Sequence, residues 1–356
     1  MSSDNQESRI VATETTRSIT WESVKFELNS TRTRDGSIDY DKVRRDKLTA
    51  LKAYTGRPAV LYATDFLSEQ KARMAQNAMS ITFDDVRGLF EVVRGIEGND
   101  LDLILHSPGG SPEAADSIVS VLRSQFKNVR VLVPVMAKSA ATMIALSADE
   151  ILMPISAELG PIDPQFLLSD GRGGQRWTPA QAIIDDVARA QLAVSTKQDD
   201  APVWLMQVQG QPPGLYQQAL NAVNLSKQLV GGWLVQYMFA GDGDAQNKAD
   251  AIVNYLGNHN EFLSHSRRVS IADLQKHGAK IKDIVSQDRA LWNILEELWY
   301  AVEHTFQGCP TVKIWENSNG VGLYQAIQMT MAVPVGAMLA GERRGGPSGS
   351  GPISFT

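Results

Sequence analysis

Between Pro58 and Ile155 the chain alternates short, nearly continuous apolar runs with longer stretches in which apolar residues recur at three- and four-residue spacing. Pro58-Ala-Val-Leu-Tyr-Ala63, LDLILH (101–106), VRVLVPV (129–135) and EILMPI (150–155) have strand length and no alternation, the pattern of strands buried on both faces. TFDDVRGLFEVVRGI (82–96) predicts an amphipathic helix with Thr82 placed to cap it. A turn-rich SPGGSPEAA opens a second helix over about 112–125, and a third starts near Ser139 and runs to about Ala148. Strands fed by helices at this spacing predict right-handed crossovers and an α/β fold with a mostly parallel sheet.

Further helical patterns cover 41–54, 179–196, 214–240, 244–257 and 287–304. RRVSIADLQKHG (267–278) reads as a turn, a short helix capped by Ser270 and a glycine stop. SDGRGGQRWTP (169–179) reads as a flexible, glycine-rich connection. Trp233 and Tyr237 stand four residues apart on one helical face, the spacing of a core or subunit contact. This divides the chain into a polar N-terminal arm (1–40), a main domain with helical additions (41–310) and a C-terminal extension (311–356) ending in a flexible tail.

Composition narrows the function classes. With 43% hydrophobic and 21% charged residues, the 356-residue chain is ordinary globular material rather than a disordered one. A net charge of -6, with Arg267-Arg268 and Arg343-Arg344 as isolated basic pairs, argues against a nucleic-acid partner, which needs a clustered positive face. The single cysteine, Cys309, excludes an intrachain disulfide and a multi-thiolate metal site, and suits a reducing compartment. The start, MSSDNQESRIVATETTR, has no apolar stretch of the secretory kind, and Lys138 interrupts the most apolar segment (129–153). The expectation is a cytoplasmic protein with no integral membrane segment. His259, His265 and His277 have no familiar zinc spacing, and no Gly-x-Gly-x-x-Gly follows a strand, so neither a metal nor a cofactor is expected.

Two features carry chemistry. His106-Ser107-Pro108-Gly109-Gly110 follows a predicted parallel strand, where open sheets present ligands, and paired glycines let backbone N–H groups approach a bound carbonyl. Ala137-Lys138-Ser139-Ala140-Ala141 likewise joins a strand to a helix. A serine there projects its oxygen above the sheet, while the Ala140 N–H and the helix N-terminus face developing negative charge. One donor from Gly109 or Gly110 and one from Ala140 would form an oxyanion hole, and the alanines beside Ser139 leave room for an extended chain. Helix capping is the alternative role for Ser139.

LILHSPGG followed by AKSAATMIALSADEILM resembles the crotonase-superfamily peptidases, specifically the serine dehydrogenase proteinase family, related to signal peptide peptidase A and the Clp proteolytic subunit. Glu158-Leu-Gly-Pro-Ile-Asp-Pro-Gln165 matches that family's pattern, and HSRRVSIADLQKHGAKIKDI (265–284) is a weaker match. The likeness is specific over about 100–166 and absent at both ends. It implies a Clp/crotonase-like core of repeated ββα units, self-association into a homo-oligomer, and hydrolysis of a peptide or protein substrate through an acyl-enzyme. By that resemblance Ser139 is the nucleophile, with Gly109-Gly110 and Ala140 supplying the oxyanion donors.

A serine hydroxyl needs a base. The Clp subunit has a histidine where this chain has Asp163-Pro164, so a Ser-His-Asp arrangement requires His265 or another distant histidine to fold back. A desolvated lysine is the other solution, and Lys227, within NAVNLSKQLVGGWLV, is the first candidate, ahead of Lys197, Lys138 and His106. Asp163 either orients a base, contacts substrate or caps a turn. Two other functions compete with the serine peptidase: a catalytically silent peptide-binding scaffold, and acyl-CoA chemistry on the same fold.

Overall fold

A computed structural model describes residues 19–169, 173–196, 199 and 201–327. The strands are β1 (Ala59–Thr64), β2 (Asp100–His106), β3 (Asn128–Leu132), β4 (Met136–Ala137), β5 (Glu150–Met153), β6 (Glu158–Leu159), β7 (Gln165–Ser169), β8 (Gln175–Pro179), β9 (Ile281–Asp283), β10 (Thr311–Asn317) and β11 (Gly322–Ala326). The longer helices are α1 (Trp21–Ser30), α2 (Tyr40–Thr55), α3 (Phe83–Val93), α4 (Pro112–Gln125), α5 (Ala140–Leu146), α6 (Ala180–Thr196), α7 (Ala201–Gln209), α8 (Leu215–Trp233), α9 (Ala245–Leu256) and α10 (Arg289–Gly308).

The architecture is mixed α/β with a mostly parallel sheet, ordered β11-β10-β1-β2-β3-β5-β9. β1, β2, β3, β5 and β9 run parallel, while β10 and β11 join antiparallel at the β1 edge. The unbroken apolar runs are explained by burial on both faces. On one face Val60, Leu103, Val131 and Ile151 pack under α3, α4, α5 and α9. On the other, Leu61, Ile104, Leu132 and Ile314 pack under α2 and α10. A second, short layer runs over the strand ends: parallel bridges join Ile81 to Gly110 and Ser107 to Ala137, β4 pairs with β6, and Leu159 bridges Val269. That layer carries the segments from which the site is built.

Local signals explain the boundaries. Ser111 caps α4, accepting from Ala114 N–H, with Pro112 at the first helical position. Ser270 caps the short helix Ile271–Gln275 in a reciprocal box with Asp273. The helix expected over 214–240 is α-helical to Trp233 and then widens into a π turn, Leu234–Met238. Trp233 is buried, and Tyr237 packs against the core with the Arg123 guanidinium over its ring.

The expected connection over 169–179 includes β8, which pairs antiparallel with β7, so this stretch forms a hairpin at its two sides. The expected polar arm contains α1, whose Val24 and Leu28 pack on Val43 and Ala301. The expected C-terminal extension begins with two strands of the main sheet. Its charged residues hid this: Glu316, fully buried, accepts from Arg44 and Arg45 of α2, and Lys313 pairs with Asp85 at 2.8 Å. A strand whose polar side chains meet buried partners does not read as apolar. The low-complexity tail from 341 lies outside the described residues. No helix among the described residues is long and apolar enough to cross a membrane.

Candidate active site

The Gly109-Gly110 turn and the start of α5 converge. Ser107 N–H donates to the Met136 carbonyl at 3.2 Å and Lys138 N–H to the Ser107 carbonyl at 2.9 Å, which fixes the two segments side by side. The approach at Gly109 is so close that a Cβ there would lie 2.7 Å from Ser139 Cβ and 2.9 Å from Ala140 N. Gly109 also needs its glycine for conformation, with φ at 98°. Gly110 is held against Ile81: Ile81 N–H donates to the Gly109 carbonyl at 2.7 Å and Ser111 N–H to the Ile81 carbonyl at 2.9 Å.

Ser139 sits between β4 and α5 with φ 50° and ψ -121°, one of two non-glycine residues with positive φ among the described residues. Such a conformation costs on the order of 1–3 kcal/mol and persists only where its surroundings over-determine it. Here they do. Ala141 N–H donates to the Lys138 carbonyl and Met143 N–H to the Ser139 carbonyl. Thr142 Oγ1 donates to the Ala137 carbonyl at 2.7 Å and accepts Gly160 N–H at 2.9 Å, pinning the helix to β4 and β6. The Ser139 side chain makes no capping bond to its helix and the residue is only partly buried, so the capping alternative is not what the hydroxyl does.

A cavity of about 370 Å³ opens over this turn, lined by Gly109, Gly110, Ser139, Ala140, Met143, Ile162, Trp177, Ser226 and His265 among others. Two backbone donors border it. Gly109 N–H is taken by Ser107 Oγ at 3.2 Å, whereas the N–H groups of Gly110 and of Ala140, the first residue of α5, take no protein acceptor among the described residues.

Asp163, 2% exposed, is the structure's answer to the aspartate standing where a relative has histidine. Its two carboxylate oxygens each bind an imidazole: Oδ1 meets His265 Nδ1 at 2.7 Å and Oδ2 meets His259 Nδ1 at 2.7 Å. A carboxylate only accepts, so each ring donates through Nδ1–H, the tautomer that in a neutral imidazole leaves Nε2 as the acceptor. His265 lines the Ser139 cavity. Ile162 N–H donates to the Leu256 carbonyl, which ties the Asp163 segment to the end of α9 and to His259 just beyond.

The lysines lie elsewhere. Lys227 lines a separate depression with Gln228, Gly231 and Asp250, so the structure does not bring it to Ser139. The reason is helical geometry: its neighbour Ser226 faces the Ser139 cavity, and one residue along α8 rotates the side chain by about 100°. Lys138 turns away to Glu158 at 3.1 Å and to the Leu159 carbonyl, with its pKa lowered, burial being the largest cause and Glu158 opposing it. Lys197 lies outside the described residues. His106 points through the sheet to the opposite face, its ring between Phe66 and Trp299; burial takes its pKa down to about 3. His259 is the residue that sequence reasoning passed over, and only its six-residue spacing from His265 marked it. Among the described residues no group of histidine, cysteine and carboxylate side chains is arranged to hold a metal.

Comparison with known proteins agrees with the resemblance over part of the chain. Residues 79–209 match the family model of the ClpP-like SDH-type serine proteinases. The matched stretch holds Gly109, Gly110, Ser139 and Asp163, and ends before His259 and His265. Two uncharacterized proteins of Methanocaldococcus jannaschii are similar: one is 42% identical over 87 residues, 24% of this chain and 30% of the relative. The other is 38% identical over 118 residues, 31% of this chain and 40% of the relative. The chain thus spans less than half the length of either. Among solved structures, two mutant forms of the 1510-N membrane-bound stomatin-specific protease, one in complex with a substrate peptide, are 15% identical, with TM-scores of 0.33 and 0.34. They cover 57% of this chain in each case, and 74% and 70% of their own.

Proposed function

We propose that this chain is a serine peptidase that hydrolyses peptide bonds through an acyl-enzyme on Ser139, with His265 as general base and Asp163 as its orienting carboxylate. The observation that carries the reading is the sharing of one cavity by a strained Ser139, two unpaired backbone donors and a histidine whose Nδ1 lies 2.7 Å from a buried aspartate. In this scheme His265 Nε2 takes the Ser139 proton as the hydroxyl oxygen attacks the scissile carbonyl. The developing oxyanion accepts from the Gly110 and Ala140 N–H groups, each worth about 3 kcal/mol in the transition state. The imidazolium, stabilised by Asp163, then protonates the leaving amine, and water repeats the cycle on the ester.

Gly109, placed by its close contact with Ser139, fixes the spacing of the two donors rather than donating itself. Met143 and Ile162 give the cavity apolar walls, which favours an apolar side chain next to the cleaved bond. The short second layer of bridges over the long strands supports the finer reading of the core as ββα units. Exposed apolar side chains of α6 and α7, among them Leu192, Val203 and Met206, support self-association.

The scaffold reading drew on the absence of an assignable base, and His265 supplies one. The test is covalent labelling of the full chain by a fluorophosphonate, followed by mass spectrometry of the adduct. Ser139→Ala is expected to abolish labelling and peptide hydrolysis with folding retained, and His265→Ala to slow labelling by about 10³-fold or more. Undiminished labelling of Ser139→Ala would overturn the peptidase reading, and unaltered labelling of His265→Ala would overturn the choice of base.

A further inference from the structure

A cavity of about 820 Å³ lies on the sheet face opposite Ser139, between β1 and α10, within the usual size range for small-molecule sites. Nothing in the proposed hydrolysis uses it. Trp21, Leu67, Met74 and Phe306 give it aromatic and apolar walls. Its charges do not balance. Lys71 is spent on the carbonyls of Phe306, Cys309 and Thr311 and on Asp65 at 2.9 Å, so that one cation and one carboxylate cancel. Glu303, also in the wall, has no ion pair among the described residues, and burial pushes its carboxyl up.

The cavity wall also holds a donor without an acceptor: Thr64, fully buried, has a hydroxyl with no hydrogen bond. The Trp299 indole stands beside the Glu303 carboxyl and opposes the rise that burial causes. Leaving a buried hydroxyl unpaired costs about 1–3 kcal/mol, which a ligand acceptor would recover. His106 takes the Met136 N–H on Nδ1 and stays neutral, adding no positive charge to the site.

We propose that this cavity binds the free amino terminus of a peptide whose first residue is apolar. The α-ammonium pairs with Glu303, the first carbonyl oxygen accepts from the Thr64 hydroxyl, and the apolar side chain packs among Trp21, Phe306 and Met74. A ligand carboxylate there would face Glu303 and is disfavoured. The inference does not depend on the chemistry at Ser139.

The experiment is isothermal titration of the full chain with leucinamide and with N-acetyl-leucinamide, in which a neutral acetamide replaces the ammonium. Leucinamide is expected to bind saturably and the acetylated compound at least about tenfold more weakly, with Glu303→Gln weakening leucinamide by a similar factor. Thr64→Val, which keeps the shape and removes the hydroxyl, is a second variant should Glu303→Gln fail to fold, and should weaken leucinamide severalfold. Equal affinity for the two compounds, no binding of leucinamide up to about 10 mM, or unchanged affinity in a folded Glu303→Gln or Thr64→Val chain would overturn the proposal.

Discussion

Replacing Gly109 with alanine tests whether the two turns must touch for the site to work. A methyl group there would lie 2.6 Å from the Lys138 carbonyl oxygen, 2.7 Å from Ser139 Cβ and 2.9 Å from Ala140 N. Comfortable contacts between such atoms are about 3.5–4.0 Å, so the turns must part by roughly 1 Å. None of the three obstacles is the free end of a flexible side chain, and each is held by the bridge between Ser107 and Ala137. Overpacking of this kind costs about 1–3 kcal/mol. The φ of 98° at this position adds about 1–2 kcal/mol for a residue with a Cβ. A loss of about 2–5 kcal/mol is expected in urea unfolding. The variant should keep its helical circular dichroism below the transition. Displacing reacting groups by about 1 Å is worth on the order of 10²-fold in rate. The second-order rate of fluorophosphonate labelling at Ser139 should therefore fall by about that factor in the folded variant. A Gly109→Ala chain with an unchanged urea midpoint and a labelling rate within about twofold of the parent would refute the convergence.

Asp163→Asn is expected to lower kcat by about 10³–10⁴-fold with little change in KM, because an amide cannot hold both imidazoles as Nδ1–H donors; a loss below about tenfold in peptide hydrolysis would contradict it. Lys227→Ala is expected to leave labelling and hydrolysis within about twofold of the parent, because the side chain sits in another depression, and a large loss would restore the lysine as base. His106 predicts a pH-dependent stability. Its folded pKa of about 3 lies below the ordinary 6.5, so the unfolded chain binds its proton first and stability falls as pH drops from 6.5 toward 3. Between pH 7 and pH 5 this group alone should remove about 2 kcal/mol. His106→Gln should flatten that part of the stability profile measured by urea unfolding, and an unaltered slope would count against a buried neutral ring.

The parts of this molecule legible in sequence are those set by neighbours along the chain. The strand runs 101–106 and 150–153, the helix 112–125 and the Ser270 cap are fixed by periodicity and by residues within one turn of each other. The junctions at Gly109 and Ser139 were legible for the same reason, because a strand end and a helix start each announce themselves locally. The base was not. His265 reaches Asp163 across 102 positions and His259 across 96, and neither stands in a periodic segment. Lys227 attracted attention through its apolar neighbours, yet those neighbours report that α8 is packed, not which side of it the lysine occupies. β10 was missed because its interior positions include Lys313, Glu316 and Asn317, and sequence cannot reveal that Asp85, Arg44 and the Val92 carbonyl await them.

The attachment of β10 also orders events during synthesis. Val60 pairs with Asn317, and Arg44 with Glu316, so β1 stays unzipped along one side until β10 has emerged from the ribosome. An open strand flank of that kind is where nascent chains stick to one another. Closing it demands a loop spanning most of the polypeptide, which makes the final step slow. Chains interrupted before Thr311 should accordingly be clients of chaperones or proteases rather than smaller working versions of the protein.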